Sequence, residues 1–473
     1  MKKLIYRALC ALCCAMLGLT LVGCDNFERE HTLKVYNWGD YIDEDLILEF
    51  EEWYEEQTGE PVTVIYQTFD INEVMLAKIE NGGADFDVVC PSEYIIERML
   101  SRKLLQPIIT EEFIAELDER DINYLHCVSP YVTNLFATLE APEGVKPDEY
   151  AVGYMWGTTG ILYNAAFVEH ADAESWALMF DERLSGKILV KDAFRDVYSP
   201  ILIYAKTLEA REAGIIGEDE YLDLETIKAL MYDDSDESIA LVESYLKRMK
   251  ELVAGWEADF GKEMMTQNKA WINLMWSGDA VWAIEEAESV DVELGYVVPR
   301  EGSVVWFDGW VIPKYAVNIR AARYFIDFMC KPENAIRNMD ATGYVSVVAT
   351  QEVLEAMSDD ELDTVCDLSY LFIDANGEPL EGSEAVAIDD VMYPDRSVVE
   401  RCGVMHDSGE RTDKMLEMWS RVKGDNLSVG MLVGIILFFT LMLVYGVWRK
   451  VDAYRKRRKL LKRRRHHSER KTR

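Results

Sequence analysis

The sequence predicts an α/β fold in two domains, and two observations carry that prediction. Short apolar strands alternate with amphipathic helical segments in the first part of the chain, which is typical of an α/β unit with a largely parallel sheet. In addition, about 400 residues lie between two apolar terminal segments, which is more chain than one hydrophobic core usually supports.

The alternation is clearest between residues 33 and 90. Apolar and β-branched runs predict the strands, and apolar residues at helical spacing predict the helices between them. Asp43 is a candidate cap and Gly59 a candidate stop for the first helix, and the glycine pair 82–83 would end the second. The predicted elements are strands at 33–36, 61–66 and 86–90, helices around 46–54 and 75–79, an acidic helical region at 209–262, and strands at 272–275 and 304–305.

The N-terminal segment resembles a bacterial lipoprotein signal. Basic residues precede an uncharged apolar run over residues 8–22, which ends in Leu21-Val22-Gly23-Cys24. Cleavage would remove residues 1–23 and leave Cys24 as a lipidated first residue. The alternative is an uncleaved anchor helix, although the run is short for a membrane span.

Residues 427–448 carry no charge and predict a C-terminal transmembrane helix of about 33 Å. The basic tail 449–473 follows, and such runs stay on the cytoplasmic side. This topology places the ectodomain 24–426 outside the cell membrane. The tail could also suggest nucleic acid, but membrane topology and attraction to anionic lipid explain it more simply, so no nucleic-acid partner is expected.

The ectodomain is strongly acidic. The signal and tail hold 17 of the 49 basic residues and 2 of the 86 acidic ones, which leaves a net charge near −52 between them. Such a surface concentrates cations and repels anions. Five cysteines remain outside the signal, and their irregular spacing leaves both disulfides and buried free thiols open. They are Cys90, Cys127, Cys330, Cys366 and Cys402.

Aromatic and acidic residues follow the predicted strands, where open α/β sheets bind their ligands. An alkyl chain that carries ammonium groups needs this combination, since aromatic faces attract the cation and carboxylates pair with it. Core packing is the alternative for any single aromatic residue. The clusters are Trp38-Gly39-Asp40-Tyr41, Ser92-Glu93-Tyr94, Trp276 and Trp306-Phe307-Asp308.

Enzymatic patterns are absent from the sequence. It contains no HExxH motif and no GxSxG motif, and residues 185–188 lack the rest of a phosphate loop. The acidic run 233–237 lacks the glycine and the spacing of a calcium loop, so solvated carboxylates at a helix N-terminus explain it better. A carboxylate pair for glycoside hydrolysis stays open, but no pair stands out. We therefore expect a binding protein without a cofactor or a metal.

Several motifs resemble the spermidine/putrescine-binding proteins of ABC importers, in order over residues 33–420. The resemblance implies a type II periplasmic-binding-protein fold with two lobes that close like a hinge. Lobe 1 would hold about 32–152 and 307–350, and lobe 2 about 153–306 and 351–424. The motifs are Tyr36-Asn37-Trp38-Gly39-Asp40-Tyr41, Asn72-Glu73 with Met75 and Ala77-Lys78, Pro91-Ser92 with Tyr94, Tyr154-Met155-Trp156-Gly157, Ser175-Trp176, and Trp306-Phe307-Asp308 with Ile312-Pro313.

The resemblance also implies roles for individual residues. Aromatic side chains would box the alkyl chain of the ligand, Ser92 and Tyr94 would add polar contacts, and Asp308 would pair with an ammonium group. In the second lobe Asp196 matches one family carboxylate, but Ala193 stands at the position of the other and Met405 at that of a glutamine. The candidate ligand-binding residues are Trp38, Asp40, Tyr41, Ser92, Tyr94, Asp192, Asp196, Trp276, Trp306, Asp308 and Tyr344.

The function implied is that of a monomeric, extracytoplasmic receptor that delivers a polyamine to an ABC permease with its ATPase. Two alternatives remain open. The C-terminal span could couple lobe closure to a cytoplasmic partner, which would make the protein a sensor. The same aromatic box could also serve another organic cation, such as a quaternary amine or a thiamine-like molecule.

Overall fold

The computed structural model describes residues 29–81, 84–117 and 122–424, together with the isolated positions 438, 442 and 449. The chain divides into a body that ends at Leu416 and a unit that begins at Glu417. The predicted signal, Cys24, nearly all of the segment 427–448 and the tail after 449 lie outside the described residues. Among the helices that are described, none combines the length and the apolar character needed to cross a membrane.

The described residues contain fourteen strands, which we number in chain order. They are β1 Thr32–Trp38, β2 Thr63–Phe69, β3 Val88–Val89, β4 Leu105–Gln106, β5 Ala151–Asn164, β6 Ile188–Lys191, β7 Val253–Glu257, β8 Ile272–Trp276, β9 Leu294–Val297, β10 Ser303–Pro313, β11 Val345–Ser346, β12 Val365–Cys366, β13 Val386–Ala387 and β14 Cys402–Gly403.

Helices of the described residues are numbered in the same way. They are α1 Asp45–Thr58, α2 Asn72–Glu80, α3 Glu93–Ser101, α4 Glu111–Glu116, α5 Asn123–His126, α6 Pro130–Ala137, α7 His170–Ala173, α8 Phe194–Glu212, α9 Leu224–Met231, α10 Asp236–Lys250, α11 Gly261–Thr266, α12 Ser277–Glu288, α13 Ile319–Met329, α14 Pro332–Thr342, α15 Gln351–Met357, α16 Arg396–Val399 and α17 Thr412–Gly424.

Twelve of the described strands form one mixed sheet, whose main path runs in the order β2-β1-β3-β10-β5-β8-β6-β7. The predicted parallel pairing is confirmed at both sides, where β1 pairs with β2 and β3, and β6 pairs with β7 and β8. The centre is antiparallel, because β5 pairs with β10 and β8 in that sense. We call the side with β1, β2 and β3 the first half and the side with β6, β7 and β8 the second half.

The predicted strands and helices at the start of the fold are confirmed, while the glycine pair 82–83 lies outside the described residues. Helix α1 ends at Gly59, whose backbone has φ 72° and whose N–H donates to the carbonyl of Glu55, so a glycine suits this left-handed position. Asp43 accepts a hydrogen bond from the backbone N–H of Asp45. The prediction that residues 209–262 are helical is wrong in its last part, because Val253–Glu257 pairs with β6 as a strand.

Strands β5 and β10 run through the centre of the sheet and are buried along their whole length. The sequence predicted a strand end after Val305, but β10 continues to Pro313, so Trp306 and Asp308 lie inside a strand. The register of β10 against β5 shifts between Asp308 and Gly309. Such an irregularity turns a side chain away from the regular alternation.

The segment 351–400, which the resemblance assigns to the second lobe, contacts elements of the first half. Helix α15 packs against α14, and the Ser129 hydroxyl before α6 donates a hydrogen bond of 2.5 Å to the Leu371 carbonyl. The lobe boundaries stay a prediction. The five cysteines outside the signal are free thiols in this structure, and four of them are buried.

Candidate ligand-binding site

A cavity of about 290 Å³ lies between the two halves of the sheet. Residues at or after the carboxyl ends of β1, β2 and β3 line it from one side, and residues at or after the ends of β6, β7 and β8 line it from the other. Open α/β sheets bind ligands at this edge. All eleven candidate residues named from the sequence line this one cavity.

The lining is acidic and aromatic. Eight of the described lining residues are Asp or Glu, and none of them is Lys, Arg or His. A cavity with that lining attracts cations strongly, because a buried carboxylate is unfavourable until an opposite charge pairs with it. The eight acidic residues are Asp40, Asp70, Glu73, Asp192, Asp196, Asp259, Asp279 and Asp308.

Asp308 lies on the first-half wall and is buried. Its carboxylate accepts hydrogen bonds from the Tyr41 hydroxyl at 2.8 Å and from the Ser92 hydroxyl at 2.7 Å. Burial raises the pKa of Asp308 to about 7, although both hydrogen bonds act to lower it. Neutral donors alone therefore hold this carboxylate, and a cation would stabilise its charged form.

A chain of hydrogen bonds leads from Asp308 to Glu73. The Asn72 amide donates to the Ser92 hydroxyl at 3.0 Å and to the Tyr94 hydroxyl at 3.1 Å. The Tyr94 hydroxyl donates in turn to Glu73 at 3.0 Å. Burial raises the pKa of Glu73. This polar wall fixes two carboxylates at separate places in the first half.

Asp196 enters the cavity from the second half, in the first turn of α8. It accepts a hydrogen bond of 2.9 Å from the Trp276 indole N–H. Burial raises the pKa of Asp196 to about 6, and the nearby Glu73 carboxylate contributes to this rise. Within the described part of the chain, no Lys or Arg forms an ion pair with Asp196, Glu73 or Asp308.

The other buried carboxylate, Asp279, is neutralised from within the protein. Lys191 lies 2.6 Å from one of its oxygens, and Lys262 lies 3.7 Å from the other. Although burial acts to raise it, the two ammonium groups lower the pKa of Asp279. Lys262 also pairs with Asp40 at 3.1 Å and with Asp259 at 3.2 Å.

Aromatic rings form two groups around the carboxylates. Trp38 contacts Phe69 at 4.5 Å and Trp276 at 6.0 Å between ring centroids. Tyr344 contacts Tyr41 at 4.7 Å, and it contacts Trp306 at 5.8 Å. These faces can cover methylene groups and attract an ammonium group.

Two glycines let these rings reach their places. A Cβ added at Gly157 of β5 would lie 2.5 Å from the Trp306 indole, and one at Gly278 of α12 would lie 2.3 Å from the Tyr344 ring. Any larger residue at either position would push the ring into the cavity or out of it. The sheet and a helix start therefore set the positions of the aromatic walls.

Sequence reasoning missed four residues of this region. Glu73 follows β2 and Asp279 follows β8, so the strand-end rule could have found both. Lys191 is the last residue of β6, so the rule applies to its position as well. Its positive charge, however, gave no reason to expect it near a site that binds cations. Lys262 lies on α11, and no sequence signal pointed to it.

The two positions at which the sequence departs from the family pattern lie in different places. Ala193 lines the cavity, whereas Met405 is buried and does not line it.

The chain belongs to the family described as bacterial extracellular solute-binding protein, whose sequence profile matches residues 50–362. The spermidine/putrescine-binding periplasmic protein of Escherichia coli K12 is 25% identical over 422 residues, which cover 88% of this chain and 98% of that protein. The putrescine-binding periplasmic protein PotF of the same organism is 27% identical over 331 residues, which cover 67% and 78%.

A solved structure confirms the architecture. The spermidine/putrescine ABC transporter substrate-binding protein PotD from Streptococcus pneumoniae is 28% identical, with a TM-score of 0.54 over 83% of this chain and 98% of that one. The fold is thus the two-lobed α/β fold of periplasmic binding proteins, as the sequence predicted. Family and fold define a non-enzymatic receptor that binds a solute.

Proposed function

We propose that this protein binds a polyamine such as putrescine or spermidine in the cavity between the sheet halves and delivers it to an ABC permease. The observation that carries the proposal is the set of three carboxylates, Glu73, Asp196 and Asp308, which have only neutral hydrogen-bond donors. A ligand with at least two ammonium groups would supply the missing charge.

The aromatic groups support the same ligand. Trp38 with Trp276 and Trp306 with Tyr344 form two pairs of rings in the lining of the cavity. An alkyl chain between such faces is shielded from water, and each ammonium group near a ring gains roughly 0.5 to 2 kcal/mol. A sugar would offer no cation, and an anion would be repelled.

We also propose the predicted attachment to the membrane, with a lipid on Cys24 and a span at 427–448. The two Escherichia coli homologues are periplasmic proteins, and both segments would keep a monomeric receptor of this kind close to its permease. Mass spectrometry of the N-terminal peptide tests the first part, with Cys24→Ser as the control that loses the lipid.

Calorimetric titration of the purified full chain tests the proposal. Putrescine, spermidine, other organic cations and neutral sugars form the panel. A one-to-one isotherm for a polyamine and none for the sugars is the expected result. No heat with any polyamine, from folded protein free of co-purified ligand, would overturn it.

A further inference from the structure

Six of the eight carboxylates that line the cavity fall into two sets with different partners. The first set is Glu73, Asp196 and Asp308, whose side-chain hydrogen-bond donors in the described residues are neutral and which form no ion pair there. The second set is Asp40, Asp259 and Asp279, and all three pair with the Lys262 ammonium, at 3.1, 3.2 and 3.7 Å. One lysine thus serves three carboxylates that line the cavity.

Lys262 lies in the surroundings that a ligand ammonium would require. Its side chain is only 7% exposed, and Nζ lies 5.2 Å from the centroid of the Trp282 ring. Although burial acts to lower it, the carboxylates of Asp279 and Asp259 raise the pKa of Lys262. Acidic groups and an indole face therefore hold a charged amine that belongs to the protein.

The position of this amine is at the border of the cavity. A neighbouring cavity of about 640 Å³ shares five lining residues with the binding cavity, Asp40 and Tyr344 among them. Lys262 lines only the neighbouring cavity. Its ion pair with Asp40 joins the two halves of the sheet, because Asp40 follows β1 and Lys262 lies on α11 before β8.

A ligand ammonium that reached Asp40 from the binding cavity would meet the positive charge of Lys262. Like charges at close range repel each other. Of these six carboxylates, only the first set remains without a lysine partner, with Asp308 on β10 and Glu73 close to Asp196. This set suits two ammonium groups.

We propose that Lys262 is a built-in ammonium group that closes one end of the binding cavity and so makes the receptor select a short diamine over a longer triamine. The inference rests on the proposed function and adds the substrate class. Lys262 acts here as a specificity-determining residue, because it occupies Asp40, Asp259 and Asp279 and leaves fewer carboxylates for a third ammonium group.

The test compares the dissociation constants of putrescine and spermidine for the wild-type full chain and for three variants. The wild-type protein is expected to bind putrescine more tightly than spermidine. Lys262→Met, which removes the charge and keeps an unbranched side chain of similar bulk, shifts the ratio of the two constants toward spermidine by roughly tenfold or more. Lys262→Arg keeps the charge and the wild-type ratio.

Asp40→Asn separates selectivity from a mechanical role of the ion pair. Asp40 is 74% exposed, so the variant folds, and Lys262 keeps its charge beside Asp259 and Asp279. Even if its absolute affinities change, this variant should still bind putrescine more tightly than spermidine, as the wild type is expected to do. If Asp40→Asn and Lys262→Met changed both ligands by one common factor, the ion pair would only hold the halves together and the inference would be wrong.

The wild-type protein alone provides a second measurement that needs no variant. A series from 1,3-diaminopropane through putrescine and cadaverine to spermidine gives the highest affinity at a diamine. Tighter binding of spermidine overturns the inference but leaves the proposed function intact. Absence of binding for the whole series overturns both.

Discussion

Two buried aspartates in one cavity show opposite electrostatics, and their neighbours explain the difference. Lys191 and Lys262 pair with Asp279 and lower its pKa, whereas Asp308 has only hydroxyl donors and a pKa raised to about 7. The protein thus supplies a counter-charge to one carboxylate and leaves the other without one. On the proposed function, a ligand ammonium group supplies the counter-charge for Asp308, as the two lysines supply it for Asp279.

Replacing Asp308 by Asn tests this residue. The change removes the charge and keeps the size, so we expect polyamine affinity to fall by roughly 2–5 kcal/mol, the range for loss of one partner of a buried charge pair. Asp327→Asn is the matched control. Asp327 also is buried with a pKa raised to about 6, but it bonds to Asn123 away from the cavity and should leave the affinity unchanged. Calorimetry measures both, and equal affinities in the two variants would contradict the role of Asp308.

The raised pKa values predict how binding depends on pH. Asp196 and Asp308 are partly protonated in the free protein near pH 6 and pH 7, and a cationic ligand lowers both pKa values. Binding should therefore release protons, and affinity should rise from about pH 5 to about pH 8, while the amines stay charged. Calorimetry in two buffers of different ionisation enthalpy measures the protons released.

The same shifts fix the sign of the stability change. Asp308 has a folded pKa above its unfolded value, so the folded protein binds more protons between about pH 4 and about pH 7. The unliganded protein should lose stability as pH rises through this window, and Asp308→Asn should lose less. Tyr41, Ser92, Cys90, Glu93, Tyr344 and Asp196 surround this group. A polyamine affinity that does not change with pH would contradict the raised pKa values of Asp196 and Asp308.

At the scale of elements, the strand-end rule found most of the cavity from the sequence, because the side chain after a parallel strand lies at a fixed edge of the sheet. Trp38 and Trp276 end their strands as expected. Trp306 and Asp308 lie inside β10 and not after its end. The sequence could not predict this, because a long buried strand with a register shift gives no local signal of its length. Lys262 could not be found because tertiary packing alone brings α11 to the border of the cavity.

The start of helix α12 offers a test of how an element positions a ring. Gly278→Ala places a Cβ 2.3 Å from Tyr344, and overpacking of this kind destabilises by roughly 1–3 kcal/mol. We expect weaker polyamine binding together with a lower melting temperature. Gly255→Ala in β7 is the control, because its Cβ would meet Leu189 and Phe260 at an ordinary 3.8 Å. Thermal unfolding and calorimetry measure both variants. Equal ligand affinities of Gly278→Ala and Gly255→Ala would contradict the argument.

At the scale of the whole molecule, the cavity takes its walls from both halves of the sheet. Asp308 and Glu73 stand on the first half, and Asp196 and Trp276 on the second. On the proposed function, only a conformation that brings both walls to the ligand lets Glu73, Asp196 and Asp308 all pair with it, so binding would select the closed state of the two-lobed receptor.

Hydrogen–deuterium exchange of the full chain with and without putrescine should therefore show protection in both halves at once, in the peptides around residues 38–41 and 192–196. A neutral sugar is the control ligand, and Asp308→Asn at the same putrescine concentration should lose protection at both places. Closure in response to ligand requires the two regions to respond together. Protection confined to one half, under conditions where calorimetry shows saturation, would mean that the ligand binds one wall and that closure is not coupled to binding.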